Sequence, residues 1–284
     1  MVMGGDFRQV LPVIKRGTRA QVIDASLRMS PLWLLTKKMR LTTNMRAIND
    51  PWFSDFLLRF GDGNEDTVEG SFICIPDDMT IPFTIPENSI KELINVIFPS
   101  IQTNLHSSDY IISRAILSTT NDSVNDINDQ LIDLFQGEEK IYYIFDEVED
   151  DSHNIYPIEF LNSLTHNVID AEIAIGQHTG KIVFLPRIPL CPSEDDMFPF
   201  KLKRKQFPIQ LSFSMIINKA QGQTIPHVGV YLPNSIFSHG QLYVALSRGI
   251  SRENTKVLVH PAKDFGREGV YTSNVVFREV LHDE

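Results

Sequence analysis

The sequence predicts an α/β protein built on an open, largely parallel sheet with helices on its faces. The C-terminal third alternates strand-like runs, "HVGVYL" and "TKVLVH", with the helix-like run "HGQLYVALSRG". Upstream, the β-rich run "YIISRAILST" is followed by "NDSVNDINDQLIDLF", where apolar residues recur every three or four positions. A strand followed by a helix is half of a βαβ unit, and repetition of that order favours a parallel sheet.

Apolar residues at helical spacing predict three helices in the first hundred residues. In "TRAQVIDASLRMSPLW", Thr18 is a suitable cap and Pro31 is expected to end the helix. "NDPWFSDFLLRFGDG" has Asp50 as a cap and Gly61 as a stop signal, and "IKELINVIF" is closed by Pro99. Before them, "MVM" is expected to be the end of a strand, followed by a loop at "GGDFRQVLPV".

Two further regions are expected to differ from these elements. The β-prone pieces "VIDAEIAI" and "GKIVFLPRI" predict a small barrel or hairpin outside the main sheet. The run "LSFSMII" gives way at once to "NKAQGQT", which predicts a strand whose end becomes a polar loop leading into a helix from Lys219. The tail "REVLHDE" is expected to be a short helix.

The net charge of −10 hides two basic blocks around an acidic middle. Residues 1–60 hold ten Lys and Arg against four Asp and Glu, and residues 201–268 hold ten against three. Residues 61–200 hold only five against 26. This asymmetry is compatible with phosphate binding by the basic blocks, and an ordinary solvated surface can produce it too.

Composition excludes several classes of protein. With 42% hydrophobic and 22% charged residues, the chain of 284 residues has the composition of a folded globular protein. No apolar run reaches the roughly 18 residues of a membrane span, and no signal peptide is recognisable, so a nuclear or cytoplasmic location without a membrane partner is expected. Cys74 and Cys191 are isolated and are expected to be small core residues. The His residues lack metal-ligand spacing, so no metal site is predicted.

Two strings imitate parts of a nucleotide site. "GQHTGKI" is one residue shorter than the phosphate-loop pattern G-x-x-x-x-G-K-[ST] and ends in Ile182, so it is predicted to be a surface turn. "YYIFDEVED" places Asp146 and Glu147 after an apolar run, where acids that hold a metal ion often lie. Since no phosphate loop accompanies them, a solvated acidic loop is the preferred interpretation.

Arginines beside small residues at the ends of elements are the remaining candidates. "GGDFRQVLPV" carries Arg8 and Gln9, "LTTNMRA" carries Arg46, and "GQLYVALSRG" carries Arg248 near its end. A guanidinium in such a place can meet a phosphoryl group with paired donors. Taken singly, each Arg is better explained as an exposed charge.

In their residues and in their order along the chain, five segments resemble the petite-integration-frequency (Pif) family of superfamily-one DNA helicases. The resemblance is to the version carried by Helitron transposons. The segments are "GGDFRQVLPV", "LTTNMRA", "ILSTTNDSVNDIN", "FPIQLSFSMIINKAQGQTIPHVGVYLP" and "HGQLYVALSRGISRENTKVLV". The resemblance implies a RecA-like fold, with ATP and Mg²⁺ in a cleft between two RecA-like domains and single-stranded DNA across both. It also implies 5′ to 3′ unwinding in DNA repair, recombination, telomere maintenance or transposition.

The same resemblance implies roles for particular residues. Gln9 would sense the terminal phosphate of ATP, and Arg46 and Arg248 would reach that phosphate across the cleft. The implied nucleotide-binding positions are Gly5, Asp6, Gln9, Gly222 and Gln241. The implied DNA-binding positions are Asn218, Lys219, Gln221, Thr224 and Tyr243.

A domain arrangement follows from the resemblance as well. It assigns residues 1–35 to a remnant of the first RecA-like domain. Residues 36–165 and 208–284 form the two parts of the second, and residues 166–207 form a truncated inserted β domain. The truncation, of about forty residues relative to the family, would fall near Thr165 and would remove sheet pairings.

The family's phosphate loop and most of its first domain would lie before Met1. The chain is therefore expected to bind ATP weakly at most and to be inactive alone, with an N-terminal ATPase half and single-stranded DNA as its partners. Two alternatives remain open: a non-enzymatic single-stranded DNA binder that uses the basic blocks, and a non-functional transposon-derived fragment.

Overall fold

The computed structural model describes residues 2–39, 41, 43–135, 145–148, 168–190, 202–261, 263 and 265–281. Contacts within the chain divide it into two compact units, Met1–Phe135 with Ser212–Glu284 and Gln136–Leu211. The predicted inserted β domain, residues 166–207, falls inside the second unit. The four-part domain assignment stays a prediction.

Helices and strands alternate through most of the first unit. The described helices are, in chain order, α1 (Arg19–Asp24), α2 (Pro31–Leu35), α3 (Pro51–Gly61), α4 (Pro86–Ile97), α5 (Ile101–Asn104), α6 (Ser108–Ile112), α7 (Asn121–Ile132) and α8 (Gln241–Leu246). The described strands are β1 (Thr67–Val68), β2 (Phe72–Ile75), β3 (Arg114–Ser118), β4 (Phe145–Val148), β5 (Val168–Glu172), β6 (Ile182–Pro186), β7 (Ile188–Leu190), β8 (Leu202–Gln206), β9 (Ser214–Ile216), β10 (His227–Leu232), β11 (Thr255–Val259) and β12 (Val270–Ser273). Short 3-10 turns occupy Leu27–Met29, Asp77–Met79, Ile217–Ala220 and Arg278–Val280.

The first unit is built around a four-stranded parallel sheet in the order β11-β10-β3-β9. β10 is an inner strand and is buried from its second residue onward, which is typical of a strand covered on both faces. In the chain, α7 lies between β3 and β9, and α8 lies between β10 and β11. The prediction of a parallel sheet flanked by helices is therefore confirmed. A second sheet, β1-β2-β12, is antiparallel.

Side chains from the parallel sheet divide between two hydrophobic clusters. Along β3, Ala115 and Leu117 join the cluster that contains residues of α3 and α8, whereas Ile116 joins the cluster that contains residues of α4 and α7. Successive strand residues point to opposite faces, so this alternation places a helical layer on each side of the sheet. The carboxyl ends of the strands stay free to carry polar loops.

Helix α3 begins and ends as predicted. The Asp50 side chain accepts a hydrogen bond from the N–H of Phe53 at 2.9 Å, and Pro51 stands in the first turn, where no amide hydrogen is needed. The helix ends at Gly61, and its apolar side brings Phe60 fully into the core. Helices α4 and α7 also form over the predicted apolar repeats.

Three local predictions about element boundaries are wrong. Pro31 begins α2 instead of ending a helix, because the first position of a helix tolerates proline, and α1 has already ended at Asp24. The run "YIISRAILST" is helical as far as Ile112 and becomes a strand only at Arg114. The polar stretch after β9 forms one 3-10 turn instead of leading into a helix from Lys219.

Burial corrects two further predictions. Cys74 lies on β2 between the buried Ile73 and Ile75 and is exposed, since alternate strand residues face opposite sides. Val2 and Met3 are exposed and belong to no strand. Cys191 lies outside the described residues.

The second unit contains two antiparallel pieces. β5 and β6 form a hairpin, and all of the "GQHTGKI" string except Ile182 lies in their connection, where Gly176 and Gly180 have φ angles of 93° and 82°. This confirms both the predicted hairpin and the predicted surface turn. β4, β8 and β7 form a three-stranded sheet.

The predicted acidic loop around Asp146 is wrong, because these residues form β4. The register pairs Asp146 with Arg204 and Glu147 with Lys203. A strand forms here because β8 supplies an antiparallel partner for its backbone groups. The predicted truncation near Thr165 lies outside the described residues.

One side chain attaches the edge strand β9 to α7. The buried Asn128 donates to the carbonyl oxygen of Ser214 at 3.3 Å through Nδ2 and accepts from the N–H of Ser214 at 2.9 Å through Oδ1. Among the described strands, β9 pairs with β3 alone. Asn128 therefore satisfies the backbone groups that a further strand would otherwise bond.

We expect Asn128→Leu to lower the free energy of unfolding by about 1–3 kcal/mol, because it leaves two buried backbone groups unpaired. Urea unfolding followed by circular dichroism measures this change. Asn125→Ala, at an exposed position on the same helix, is the matched control and should change stability by less than about 0.5 kcal/mol. Equal losses in both variants would contradict the assignment.

Candidate functional site

The polar loop that follows β9, residues 217–225, is the centre of the candidate site and is called the β9 loop. Its apolar residues Ile217 and Ala220 are buried, and its polar residues are exposed: Asn218, Lys219, Gln221, Gln223 and Thr224. Gly222 has a φ of 86°, which favours glycine, and a Cβ there would meet nothing within 4 Å. Gly222 is thus required for the shape of the backbone, and the outer side of the loop is open.

Arg248, just beyond the end of α8, holds the β9 loop in place. Its side chain is 1% exposed. Nη1 donates to the carbonyl oxygens of Gln223 at 3.0 Å and Ala220 at 3.4 Å, and Nε donates to that of Val244 at 2.9 Å. The backbone carbonyl of Arg248 also accepts from the N–H of Ile225 at 2.9 Å. The guanidinium is thus turned into the protein and bonded to the loop backbone.

Arg46 reaches the same loop from the segment that precedes α3. Its Nε donates to the hydroxyl of Thr224 at 2.8 Å, and its Nη1 donates to the carbonyl oxygen of Ser247 at 2.5 Å. The side chain of Asn44 accepts from the N–H groups of Arg46 and Ala47 and holds the turn between them. Nη2 of Arg46 makes no hydrogen bond with any residue that the structure describes.

The two guanidinium groups make the site strongly cationic. Burial, and after it the positive charge of Arg46, lower the pKa of Arg248 to about 10. Burial also lowers the pKa of Arg46. Both groups remain charged at neutral pH, so an anion bound beside them would relieve their mutual repulsion.

The N-terminal segment 6–9 packs beside the β9 loop. Oε1 of Gln9 accepts from Nε2 of Gln221 at 2.9 Å. The hydroxyl of Tyr243 donates to Oδ2 of Asp6 at 3.0 Å. Burial, and after it the charge of Asp6, raise the pKa of Tyr243, so its hydroxyl stays protonated and can donate.

Two contacts hold this segment against α8 and α3. Gly240, which precedes α8, has a φ of 69°, and a Cβ there would lie 2.2 Å from the carbonyl oxygen of Arg8. Only glycine therefore permits this approach. The Arg8 side chain donates to Asp62 at 2.7 Å and 3.2 Å. Burial acts to lower the pKa of Arg8, but the hydrogen bond to Asp62 and the negative charge of Asp62 outweigh it, so the pKa of Arg8 is raised.

The structure brings most of the predicted site residues together, and three need separate comment. Gln241 is 1% exposed, and its buried Oε1 has no hydrogen-bond partner among the described residues. Gly5 is exposed. Tyr243, a predicted DNA contact, is half-buried with its hydroxyl on Asp6. The predicted roles of all these residues in catalysis, nucleotide binding and DNA binding stay predictions.

The loop after β3 is a part of the site that the sequence analysis did not single out. β3 and β9 are neighbours with Ser118 opposite Ile216, so the residues that follow both strands lie at one edge of the sheet. Thr120 caps α7, and the buried hydroxyl of Thr119 has no hydrogen-bond partner among the described residues. A strand followed by "TTND" and a helix was the available signal. Asp62 and Ser247 gave no comparable signal, since the arginines that bond them are distant in sequence.

The described residues contain neither a metal-binding cluster nor a membrane-spanning helix. No group of three or more His, Cys, Asp and Glu is arranged to hold a metal ion within the described ranges. Among the described helices, none combines the length and the apolarity needed to cross a bilayer.

Comparison with known sequences gives matches that each cover a minor part of the chain. Residues 1–70 match the family model for PIF1-like helicases. The "ATP-dependent DNA helicase PIF1" of Saccharomyces cerevisiae is 48% identical over 65 residues, which are 23% of this chain and 8% of that protein. The human protein of the same name is 46% identical over 57 residues, 20% of this chain and 9% of that protein. The matched stretch is thus a small part of each relative.

Comparison with solved structures extends over most of the chain. The Pif1 helicase of Candida albicans covers 90% of this chain and 63% of its own, with a TM-score of 0.54 and 21% identity. The Bacteroides Pif1 helicase in complex with ADP-AlF3 and single-stranded DNA covers 95% and 68%, with a TM-score of 0.54 and 18% identity. At these identities the likeness concerns the fold.

The parallel sheet, its two helical layers and these structural neighbours define a protein of the RecA-like class. Within that class, the predicted resemblance to the PIF1-like helicases is confirmed by the family match over residues 1–70.

We expect Arg248→Ala to lower the free energy of unfolding by about 2–4 kcal/mol, because it leaves buried carbonyl groups of the β9 loop without their charged donor. Arg248→Lys should recover only part of this loss, since one ammonium cannot reproduce the guanidinium fork. Denaturant unfolding measures both. Arg267→Ala, at an exposed position, is the control, and an Arg248→Ala protein as stable as this control would show that the loop does not depend on Arg248.

Proposed function

We propose that the chain supplies the second RecA-like domain of an ATP-dependent 5′ to 3′ DNA helicase, as the C-terminal half of a Helitron-type motor. One hydrogen-bonded network in the first unit carries this proposal. It runs from Gln9 to Gln221 of the β9 loop, and from that loop to Arg46 and Arg248. The network thus connects two guanidinium groups, which can bind a phosphoryl group, to the exposed β9 loop, which can contact the backbone of DNA.

On the nucleotide side, Arg46 is the residue best suited to meet a phosphoryl group. Its Nη2 makes no bond to a described residue, and the positive charge of Arg248 beside it favours an anion. When bound, ATP would supply the free energy that transfer of its terminal phosphoryl group releases. The sequence contains no G-x-x-x-x-G-K-[ST] string, so a partner segment that carries one has to hold the nucleotide. We assign the Mg²⁺ ligands to that partner as well.

We assign Arg248 a coupling role, because its guanidinium is bonded to the β9 loop. A phosphoryl group that attracts Arg46 or Arg248 competes with Thr224 and with the carbonyl group of Gln223 for the same donors. The loop then loses contacts that determine its shape. Differential bonding of this kind is what a ligand needs to shift a protein between two conformations.

On the DNA side, the carboxyl edge of β3 and β9 offers donors that do not select a base. Lys219 supplies an exposed positive charge, and Asn218 supplies an amide. The N-terminus of α7, capped by Thr120, lies after the neighbouring strand. Such groups contact phosphates and orient the backbone without reading sequence. The single-stranded DNA in the Bacteroides complex supports this choice of substrate. A nuclear location is part of the same proposal.

A single-stranded DNA binder without ATPase activity is the second candidate. It is favoured by the Arg248 side chain, which is 1% exposed and bonded to protein carbonyl groups.

We expect Lys219→Ala to weaken binding of a labelled oligo-dT strand several-fold at low salt and to reduce the slope of log K against log salt by about 1, because one phosphate contact is lost. Fluorescence anisotropy across a salt series measures both quantities. Lys91→Ala removes the same charge from the exposed side of α4 and serves as the control. Unchanged affinity and slope in Lys219→Ala would exclude Lys219 from the DNA contact.

The helicase proposal is tested with a chimera that joins this chain to the phosphate-loop half of the Saccharomyces cerevisiae relative. We expect DNA-stimulated ATP hydrolysis by the chimera, and a decrease in kcat of about 10³-fold or more in its Arg46→Ala variant, since an arginine on the phosphoryl group stabilises the transition state. We expect no hydrolysis by the chain alone.

The DNA affinity of the chimera checks its folding. Hydrolysis at an undiminished rate in Arg46→Ala would refute the catalytic role of Arg46. A chimera that binds DNA and never hydrolyses ATP would support the second candidate.

A further inference from the structure

His239 is a buried imidazole that joins two segments far apart in the sequence. It is 2% exposed. Its Nε2 lies 2.7 Å from the carbonyl oxygen of Phe7, and its Nδ1 lies 2.8 Å from the backbone nitrogen of Phe277. The N–H of Phe277 can only donate, so Nδ1 has to be the acceptor. The carbonyl of Phe7 can only accept, so Nε2 has to carry the proton. Both bonds together require the neutral ring in this one tautomer.

The C-terminal contact of His239 is part of a larger arrangement. The ring of Phe277 stacks on the imidazole with centroids 5.1 Å apart. The guanidinium of Arg19 lies over the same Phe277 ring, 4.5 Å from its centroid. It also donates to both carboxylate oxygens of Glu279 at 2.8 Å. Val280 is fully buried in a small cluster with Leu11 and Ile23 of the N-terminal region. The tail, residues 277–281, therefore packs on the N-terminal region next to His239.

The N-terminal contact of His239 lies within the segment that reaches the β9 loop. Phe7 stands between Asp6, which accepts from Tyr243, and Gln9, which accepts from Gln221. These contacts bracket the carbonyl that His239 bonds. The position of that carbonyl consequently determines where the two side chains of the segment can reach.

We propose that His239 is a positioning residue: through the Phe7 carbonyl it holds segment 6–9 in the place where Gln9 meets the β9 loop, and through Phe277 it makes the C-terminal tail a support of that site. The consequence for catalysis rests on the proposed function. The positional claim concerns the chain by itself and can be tested without nucleotide or DNA.

The charges around His239 agree with a neutral ring. Burial lowers the pKa of His239, and Arg19 adds to this effect. The Phe7 carbonyl, Asp6 and Glu279 act in the opposite direction and do not overcome the burial. When acid protonates the ring, Nδ1 becomes a donor that faces the N–H of Phe277, and that bond is lost.

Two substitutions separate the two bonds of His239. His239→Gln places an amide NH₂ near the position of Nε2 and keeps a donor for the Phe7 carbonyl. His239→Asn places an amide oxygen near the position of Nδ1 and keeps an acceptor for the N–H of Phe277. Phe237→Ala, at a position that is 71% exposed two residues earlier, is the matched control.

Hydrogen exchange measured by mass spectrometry on peptides covering residues 5–11 and 275–281 tests the proposal. We expect His239→Asn to speed exchange of the 5–11 peptide about five- to tenfold and to leave the 275–281 peptide close to wild type, because only the Phe7 bond is lost. His239→Gln should do the reverse, and Phe237→Ala should change neither. Wild-type exchange of the 5–11 peptide in His239→Asn, or equal acceleration of both peptides in both variants, would overturn the proposal.

A pH series gives an independent readout. The unfolded chain takes up a proton on His239 near the ordinary pKa of about 6.5, and the folded chain does so only at lower pH. Stability contributed by the neutral ring therefore falls as the pH drops below about 6.5 and levels off below the folded pKa. The ratio of exchange rates between wild type and His239→Gln, compared at each pH, should rise on acidification for the 275–281 peptide. It should stay nearly constant for the 5–11 peptide, because the protonated ring still donates from Nε2 to the Phe7 carbonyl. A ratio independent of pH for the 275–281 peptide would overturn the assigned tautomer.

In the ATPase chimera, His239→Asn should lower kcat with the DNA affinity unchanged. His239→Gln, which keeps a donor for the Phe7 carbonyl and loses only the Phe277 bond, should lower kcat less. Should the helicase proposal fail, no variant would be active, and the exchange pattern would still decide the positional claim.

Discussion

The guanidinium of Arg248 donates to two carbonyl groups of the β9 loop and to one of its own helix, and the path of the loop depends on these bonds. The loop makes one short 3-10 turn and then follows an irregular path, in which Gly222 adopts a conformation that few other residues tolerate. Irregular backbone beside a core needs partners for its polar groups, and a planar group with five donors can serve several carbonyls at once. The buried arginine thereby takes the place of regular secondary structure.

The same arrangement explains how two like charges can lie beside one loop. Arg46 and Arg248 are both bonded to oxygen atoms of carbonyl and hydroxyl groups, which stabilise their positive charges. Arg248 needs these bonds most, because it is buried away from water. The charges nevertheless oppose each other, as the lowered pKa of Arg248 indicates. A site of this kind has a built-in preference for an anion, and the bonds that an anion would replace are those that shape the loop. This links electrostatics at the site to the conformation of the surface that we propose meets DNA.

Local signals predicted a good part of the fold. The cap at Asp50 and the apolar stripe after it predicted α3, and two β-prone runs around a Gly-containing string predicted the β5-β6 hairpin. Predictions failed where a partner elsewhere in the chain decides. The run at Asp146 is a strand because the backbone of β8, about sixty residues later, pairs with it. Pro31 suits a helix start as well as a helix end, and the sequence around it does not distinguish the two.

The amino-acid sequence by itself determined the class of fold, the resemblance to PIF1-like helicases and most of the residues that gather at the β9 loop, because periodicity, capping and motif order follow from the order of residues along the chain. Only the tertiary structure decided what those residues do there. It directed the Arg248 side chain toward the backbone of the β9 loop and left one nitrogen of Arg46 without a described partner. It also placed His239 between Phe7 and Phe277. These hydrogen bonds join residues that are 25 to 232 positions apart. They depend on how the layers pack, and no local pattern encodes them.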